Sequence, residues 1–318
     1  MLKTYAVVLS LILLAASAIV KANALAVVTN QLSESVSLID TDSRQVIATI
    51  PVPGKPAGVA VTPDGKRCFI STPEAEGFAV IDLIQRKLVQ TVNVGPGALG
   101  IAVSPDGHKL FVADWYHNSV AVLDTHEFKR LTTINVGESP SGLAISPNNR
   151  WLYVANRMSN SVSKIDLADY HVTKTVSVGK HPFGITLDSS GLKLYTANVQ
   201  SDDVTVLDAT TMAVLATIKV NLLPYAATLA LNDSRLFVTN QDDGSVSVID
   251  TDTLKEIALL NVGDKPEGID THPNDRSVYV ANWFDGTVSV VDAKQLKVVD
   301  TIKTGEGSRA FGQFITTH

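Results

Sequence analysis

Seven repeats of a 42-residue period, each readable as four short strands, predict an all-β seven-bladed propeller of four-stranded blades over residues 25–318. The period is read on an apolar-apolar-Asn signal: LAVVTN at 25, RCFIST at 67, KLFVAD at 109, WLYVAN at 151, KLYTAN at 193, RLFVTN at 235 and SVYVAN at 277. A second observation is that no segment past the leader sustains a helical period. A third is that neither end of the array carries the polar cap an open solenoid needs.

The elements follow in order within each repeat. The first strand is the signal itself. The second is SVSVIDT-like, as in Ser35–Thr41 and Ser245–Thr251, and the third VIATIPV-like, as in Val46–Val52 and Val214–Val220. The fourth is GIAVSPD-like, as in Gly100–Asp106 and Gly142–Asn148. All are rich in β-branched residues and end in turn chemistry. Thr-Pro-Asp-Gly at 62–65 and Ser-Pro-Asp-Gly at 104–107 are tight turns: Pro presets φ, Asp bonds its own backbone and Gly accepts positive φ. Because the channel-lining strand ends each repeat, Arg309–Thr316 should be the inner strand of the blade that begins at Leu25, so the C-terminal strand closes the ring on the N-terminal blade.

Residues 1–24 read as a cleavable signal peptide: Lys3, an apolar run from Tyr5 to Val20, and small residues at Ala22 and Ala24. An uncleaved N-terminal anchor is the alternative, although the run is short for a membrane span. The expected location is the periplasm or the exterior, with no stable membrane anchor after cleavage. With Lys3 and Lys21 in the leader, the remainder carries 24 basic against 32 acidic residues, a charge of −8. That balance argues against phosphate-driven nucleic-acid binding. The lone Cys68 rules out an internal disulfide, and its place among apolar residues of the other repeats marks it as a buried apolar side chain.

The motifs VVTN, YVAN and FVTN, with the SVSVIDT and Pro-x-Gly-Ile-Ala-Val-Ser-Pro-Asp-Gly segments, resemble the YVTN family of β-propeller repeats over the whole of 25–318. The resemblance implies an exported propeller. Similar repeats occur in the propeller subunit of quinohaemoprotein amine dehydrogenases and in haem d1 domains, so the family spans binding, scaffolding and redox roles. The pattern departs at Thr72-Pro73 and at Asn221-Leu222-Leu223-Pro224-Tyr225-Ala226.

The repeated Asn30, Asn156, Asn198, Asn240 and Asn282 read as structural strand ends that visit left-handed backbone and bond nearby backbone. The repeated Asp40, Asp82, Asp124, Asp166, Asp208, Asp250 and Asp292 read as closers of the second strand. Gly95-Pro96-Gly97-Ala98-Leu99-Gly100 matches a dinucleotide fingerprint, but a strand follows it where a helix is required. No zinc-type ligand spacing and no nucleophile elbow occur. No metal or other cofactor is expected.

Function in repeat folds sits where loops vary. The first-to-second-strand loops and the third-to-fourth-strand loops should share one face. Their candidate ligand- or partner-binding residues are Trp115, Tyr116, His117, Arg157, His181, Trp283 and Phe284. The residue before each repeat Gly should ring the channel mouth: Ala57, Leu99, Ser141, Phe183, Tyr225, Glu267 and Arg309. Phe183 beside Tyr225 and Glu267 beside Arg309 suit a small ligand or a partner's side chain. The Trp residues could equally pack on their own blades, and Glu267 could simply pair with Arg309.

The leading expectation is a monomeric exported propeller that binds or scaffolds a periplasmic protein or a small molecule through this aromatic-rich face. One alternative, implied by the resemblance, is an accessory subunit or maturation factor of a periplasmic quinone or haem redox enzyme; covalent haem is excluded because no Cys-x-x-Cys-His exists. The other is a lactonase- or lyase-like enzyme with Glu267 as base and Arg309 as anion stabiliser.

Overall fold

The computed structural model describes residues 24–316, so the expected signal segment lies outside the described residues save Ala24. First strands begin at Leu25, Arg67, Lys109, Trp151, Lys193, Arg235 and Ser277, the spacing read from the sequence. Five antiparallel sheets hold four strands each, ordered from the channel outwards as inner strand, motif strand, SVSVID-like strand and outer strand. Blade 4 is representative: Pro140–Ile145, Trp151–Asn156, Ser161–Asp166 and His171–Ser177. The outer strand of each blade carries a bulge and is largely exposed, while the two middle strands are almost wholly buried. A short 3-10 turn, Pro73–Ala75, replaces the loop where repeat two departs from the motif.

Blade 1 has three continuous strands, Leu25–Asn30, Ser35–Asp40 and Gln45–Pro51. Its inner position is filled by the C-terminal segment. Val27 N–H donates to Phe314 O (2.8 Å), Arg309 N–H to Thr29 O (2.8 Å) and Thr316 N–H to Leu25 O (2.9 Å). Phe311–Gln313 also pairs in parallel with Gly58–Val61, the inner strand of blade 2. The closing strand therefore has partners on both sides, and the seam that would otherwise expose a sheet edge is sealed.

The motif Asn is structural, by a route different from the expected one. Asn30, Asn156, Asn198, Asn240 and Asn282 stay extended, fully buried, at the end of the strand. Each side-chain amide donates to two side chains of the next strand: Asn156 Nδ2 to Ser161 Oγ (3.1 Å) and Ser163 Oγ (2.9 Å), Asn240 Nδ2 to Ser245 Oγ (3.0 Å) and Ser247 Oγ (2.9 Å). The Ser-x-Ser of the second strand exists to receive the Asn of the first, because a buried amide without partners is costly. The repeated Asp residues behave as expected, capping the following turn with their carboxylates: Gln85 N–H to Asp82 (2.7 Å) and Gln295 N–H to Asp292 (2.8 Å) are two cases.

Blades pack face to face through apolar side chains. Between blades 3 and 4, Phe111, Val120 and Val122 meet Leu152, Val154 and Ile165. Cys68 is fully buried, and burial pushes its thiol pKa far up, so it is inert packing.

Candidate functional site

One recurring turn builds the upper face. The residue two before the expected mouth ring takes left-handed backbone in every repeat: Lys55, Gly97, Ser139, His181, Leu223, Lys265 and Gly307. In five repeats its carbonyl accepts the N–H of the residue after the motif position, as in Trp115 to Gly97 (2.9 Å), Arg157 to Ser139 (3.2 Å) and Trp283 to Lys265 (2.8 Å). Gln31 to Gly307 (2.8 Å) repeats the bond across the closing seam. Both loop sets are thereby stitched together on one face, and a second ring of variable residues follows the motif strands.

Where these rings meet around the channel mouth there is a cavity of about 430 Å³. Five mouth-ring residues line it: Leu99, Phe183, Tyr225, Glu267 and Arg309. Ala57 and Ser141 do not; both are buried beneath the rim. From the second ring come Pro73, Trp115, Arg157 and Gln241, with Gly97 and Tyr116 completing the wall. Gln241 was not singled out from the sequence. Its signal was positional, since it occupies the register of Trp115, Arg157 and Trp283 in repeat six.

The cavity has two chemically distinct sides. On one, Phe183 stacks on Tyr225 (centroids 4.1 Å) and Trp115 leans on Phe183 (6.3 Å). On the other, Arg309 Nε lies 2.8 Å from Glu267 Oε2, and Gln241 Nε2 donates to Glu267 Oε1 at 2.6 Å. Arg309 also donates to the Tyr225 hydroxyl. The Arg309 Nε–H is not aimed along its short contact, so neither that nitrogen nor Glu267 Oε2 completes a hydrogen bond among the described residues. Burial raises the Glu267 pKa against the opposing pull of Arg309 and Gln241. Burial works against the Arg309 charge, but Glu267 and Tyr225 outweigh it and its pKa rises. Burial likewise raises Tyr225, which stays a neutral phenol.

Arg157 is the other cation of the cavity. Its guanidinium lies 5.1 Å from the Trp115 ring centroid, and its buried Nε has no hydrogen-bond partner among the described residues. His181 stands behind it with Nδ1 buried and unpartnered; burial, then Arg157 and Lys180, lower its pKa and favour the neutral ring.

The remaining expected residues fall elsewhere. His117 Nδ1 contacts Asp114 Oδ2 at 2.9 Å on the exposed loop. Trp283 donates its indole N–H to Gln31 Oε1 (3.2 Å), bridging blades 7 and 1, with Phe284 exposed beside it. None of the side chains of His117, Trp283 and Phe284 lines the cavity. Among the described residues no three or more His, Cys, Asp or Glu side chains converge in a metal-type group. Gly95 to Gly100 runs into the strand Ala98–Val103, which excludes the phosphate-binding fingerprint.

Three families of known propellers match parts of the chain. A YNCE-like β-propeller model matches residues 14–101, a lactonase seven-bladed β-propeller model residues 127–219, and a cytochrome D1 haem domain model residues 198–310. No curated protein matches the chain significantly. Among solved structures, hydrazine synthase of Kuenenia stuttgartiensis is 20% identical with a TM-score of 0.77, covering 84% of this chain and 92% of that one. A functionally unknown protein from Desulfotomaculum acetoxidans is 16% identical with a TM-score of 0.78, covering 91% of this chain and 99% of that one. Dihydro-haem d1 dehydrogenase NirN in complex with DHE is 18% identical with a TM-score of 0.68, covering 88% of this chain and 63% of that one. At these identities the likeness establishes the propeller fold, with function left to the site.

Below the cavity, Phe311 of the closing strand packs under Phe183 (4.7 Å) and against Tyr225 (6.2 Å). This aromatic trio separates the upper cavity from a lower chamber of about 530 Å³ at the other mouth of the channel. The lower chamber is ringed by Ala60, Ala102, Ala144, Thr186, Thr228, Asp270 and Gly312, which share one register of the inner strands.

Proposed function

We propose that this chain is an exported propeller of the YVTN type that binds a small ligand, or one side chain of a partner protein, in the upper cavity. The observation that carries this reading is the meeting of an aromatic wall with Arg157, a cation that has no ion pair among the described residues, and with the half-satisfied Arg309–Glu267 pair. A concave, largely apolar site with a few converging polar groups is what small-molecule recognition requires. Trp115 and Phe183 offer flat faces, and Arg157 offers an anion partner. Native mass spectrometry of the protein isolated from its own host tests the reading. A discrete added mass or co-isolated protein is expected, and it should be lost in Arg157→Ala. A bare wild-type chain would count against stable occupancy.

An accessory role beside a redox enzyme is the second reading. It is supported by the haem-domain match over 198–310, a stretch that holds Tyr225, Gln241, Glu267 and Arg309. A visible absorbance band in the isolated protein, diminished by Tyr225→Ala, would favour it over the first. The lactonase-like match covers Arg157, His181 and Phe183 and stops short of Glu267 and Arg309. Catalysis by the buried pair is therefore the least supported reading, and retention of an identified activity by Glu267→Gln would end it.

A further inference from the structure

The lower chamber has the makings of a second site, unrelated to the upper cavity and separated from it by Phe183, Tyr225 and Phe311. We propose that it binds a small organic cation: an ammonium head held by Asp270, with a short apolar body in the well between the inner strands.

The wall is asymmetric. At one register, four successive positions around the ring, from Gly312 to Ala144, are Gly or Ala, and the next three are Thr186, Thr228 and Asp270. The small residues keep the well open on one side and apolar. The polar arc puts a carboxylate next to two hydroxyls on the other. Thr228 Oγ1 lies 3.0 Å from Thr271 Oγ1, so one hydroxyl of the arc is already oriented beside Asp270. Sites for small molecules combine an apolar enclosure with a few placed polar groups in this way.

Asp270 is poised but uncompensated. Its Oδ2 accepts the N–H groups of Phe314 (2.8 Å) and Ile315 (2.9 Å), and its Oδ1 that of Thr271 (2.9 Å). These bonds fix the carboxylate and leave about one of its four lone-pair positions open. It is half-buried, and its accessible surface opens on the chamber. The elements packed against it, Pro224–Ala230, Arg235–Asn240, Ser277–Asn282 and the closing segment, contribute Tyr225, Arg235, Tyr279 and Arg309 as titratable groups, of which Arg235 is paired with Asp250 (2.7 Å). Tyr225 and Arg309 engage each other at the upper mouth, and the Tyr279 hydroxyl donates to Thr41 O (3.2 Å). Glu267, on its own strand, is paired with Arg309. At the chamber rim, Asp188 is occupied by the N–H groups of Leu192 and Lys193. Among the described residues no cation faces Asp270, and burial pushes its pKa up to about 7 even against three backbone N–H donors. An ammonium group supplies the missing counter-charge. A bound metal ion would need several further protein ligands, and no such cluster occurs among the described residues.

The test is saturation-transfer NMR and calorimetry of the full chain with n-butylammonium, n-butanol and potassium ion as probes. Butylammonium should bind, and about tenfold more tightly near pH 8 than near pH 6, as Asp270 ionises. Asp270→Asn keeps an oxygen for the Phe314 and Ile315 N–H groups and gives up only the Thr271 N–H bond, so it should fold and lose the butylammonium signal. Equal binding by butanol, equal binding to Asp270→Asn, or no binding near pH 8 would each overturn the proposal. Competition by potassium as strong as by butylammonium would overturn the assignment to an organic cation. Should Asp270→Asn fail to fold, Ala144→Phe, which fills the opposite side of the well, takes its place. It should abolish butylammonium binding, and retained binding would overturn the site.

Discussion

The two chambers of the channel are built on the same seven inner strands, three residues apart in register, and they have opposite characters. The upper register holds Leu99, Phe183, Tyr225, Glu267 and Arg309, large and mutually engaged side chains that partly fill their own cavity. The lower register holds Gly312, alanines, two threonines and Asp270, and its chamber stays open. The backbone repeat is equally regular at both. What differs is where chemical variety has been placed on it. A closed ring lets one register diversify while the next stays uniform, because each blade's stability rests on its middle strands and on the seams between blades.

The closing segment contributes to both registers, so its removal is the severest way to break the comparison. Truncation before Arg309 deletes Arg309 above and Gly312 below, along with the bonds to Val27, Thr29 and Leu25. It also opens an unpaired edge on blade 1. We expect loss of the cooperative melting transition, checked by calorimetry, whereas a free tail would leave the transition intact.

Within the upper register, Arg309→Ala strands Glu267 as a buried charge. The expected cost is about 3–5 kcal/mol in chemical denaturation. Glu267→Gln removes the charge while keeping the shape, and should cost appreciably less. A reversed order would show that Glu267 is already neutral in the folded state.

The lower register should give an effect that depends on pH. Asp270 has a folded pKa of about 7 against an ordinary value of 3.8, so the native state keeps a proton that the unfolded chain has lost. Its contribution is fully present below the ordinary value and lost as pH climbs through the folded one. Asp270→Asn should therefore flatten the pH dependence of Tm between about pH 4 and pH 7, gaining on the wild type towards the upper end. Parallel wild-type and variant curves would mean that Asp270 is ionised throughout.

Much of this was legible in residue order. The 42-residue period placed all seven first strands, the inner position of the fourth strand and the closing role of Arg309–Thr316, because strand period and turn chemistry are local properties. Aligning the repeats also named Phe183, Tyr225, Glu267 and Arg309 as neighbours, since in a ring equal register means equal height. The reason for the motif Asn was not legible. Its partners, Ser161 and Ser163 for Asn156, lie across a hairpin, and only the register of the two strands shows that the amide is satisfied there.

The sequence by itself determined the fold, the blade boundaries and the face on which variable loops gather. Tertiary structure decided which of those loops matter to one cavity. Trp115 and Arg157 lean over it, whereas Trp283 turns away to bond Gln31 of blade 1. It also decided that Phe311 divides the channel and that Asp270 faces a second chamber. Those outcomes depend on side chains from non-adjacent repeats meeting across the axis. Repeat spacing specifies height around a ring, but rotamers and burial decide which side chains reach its centre.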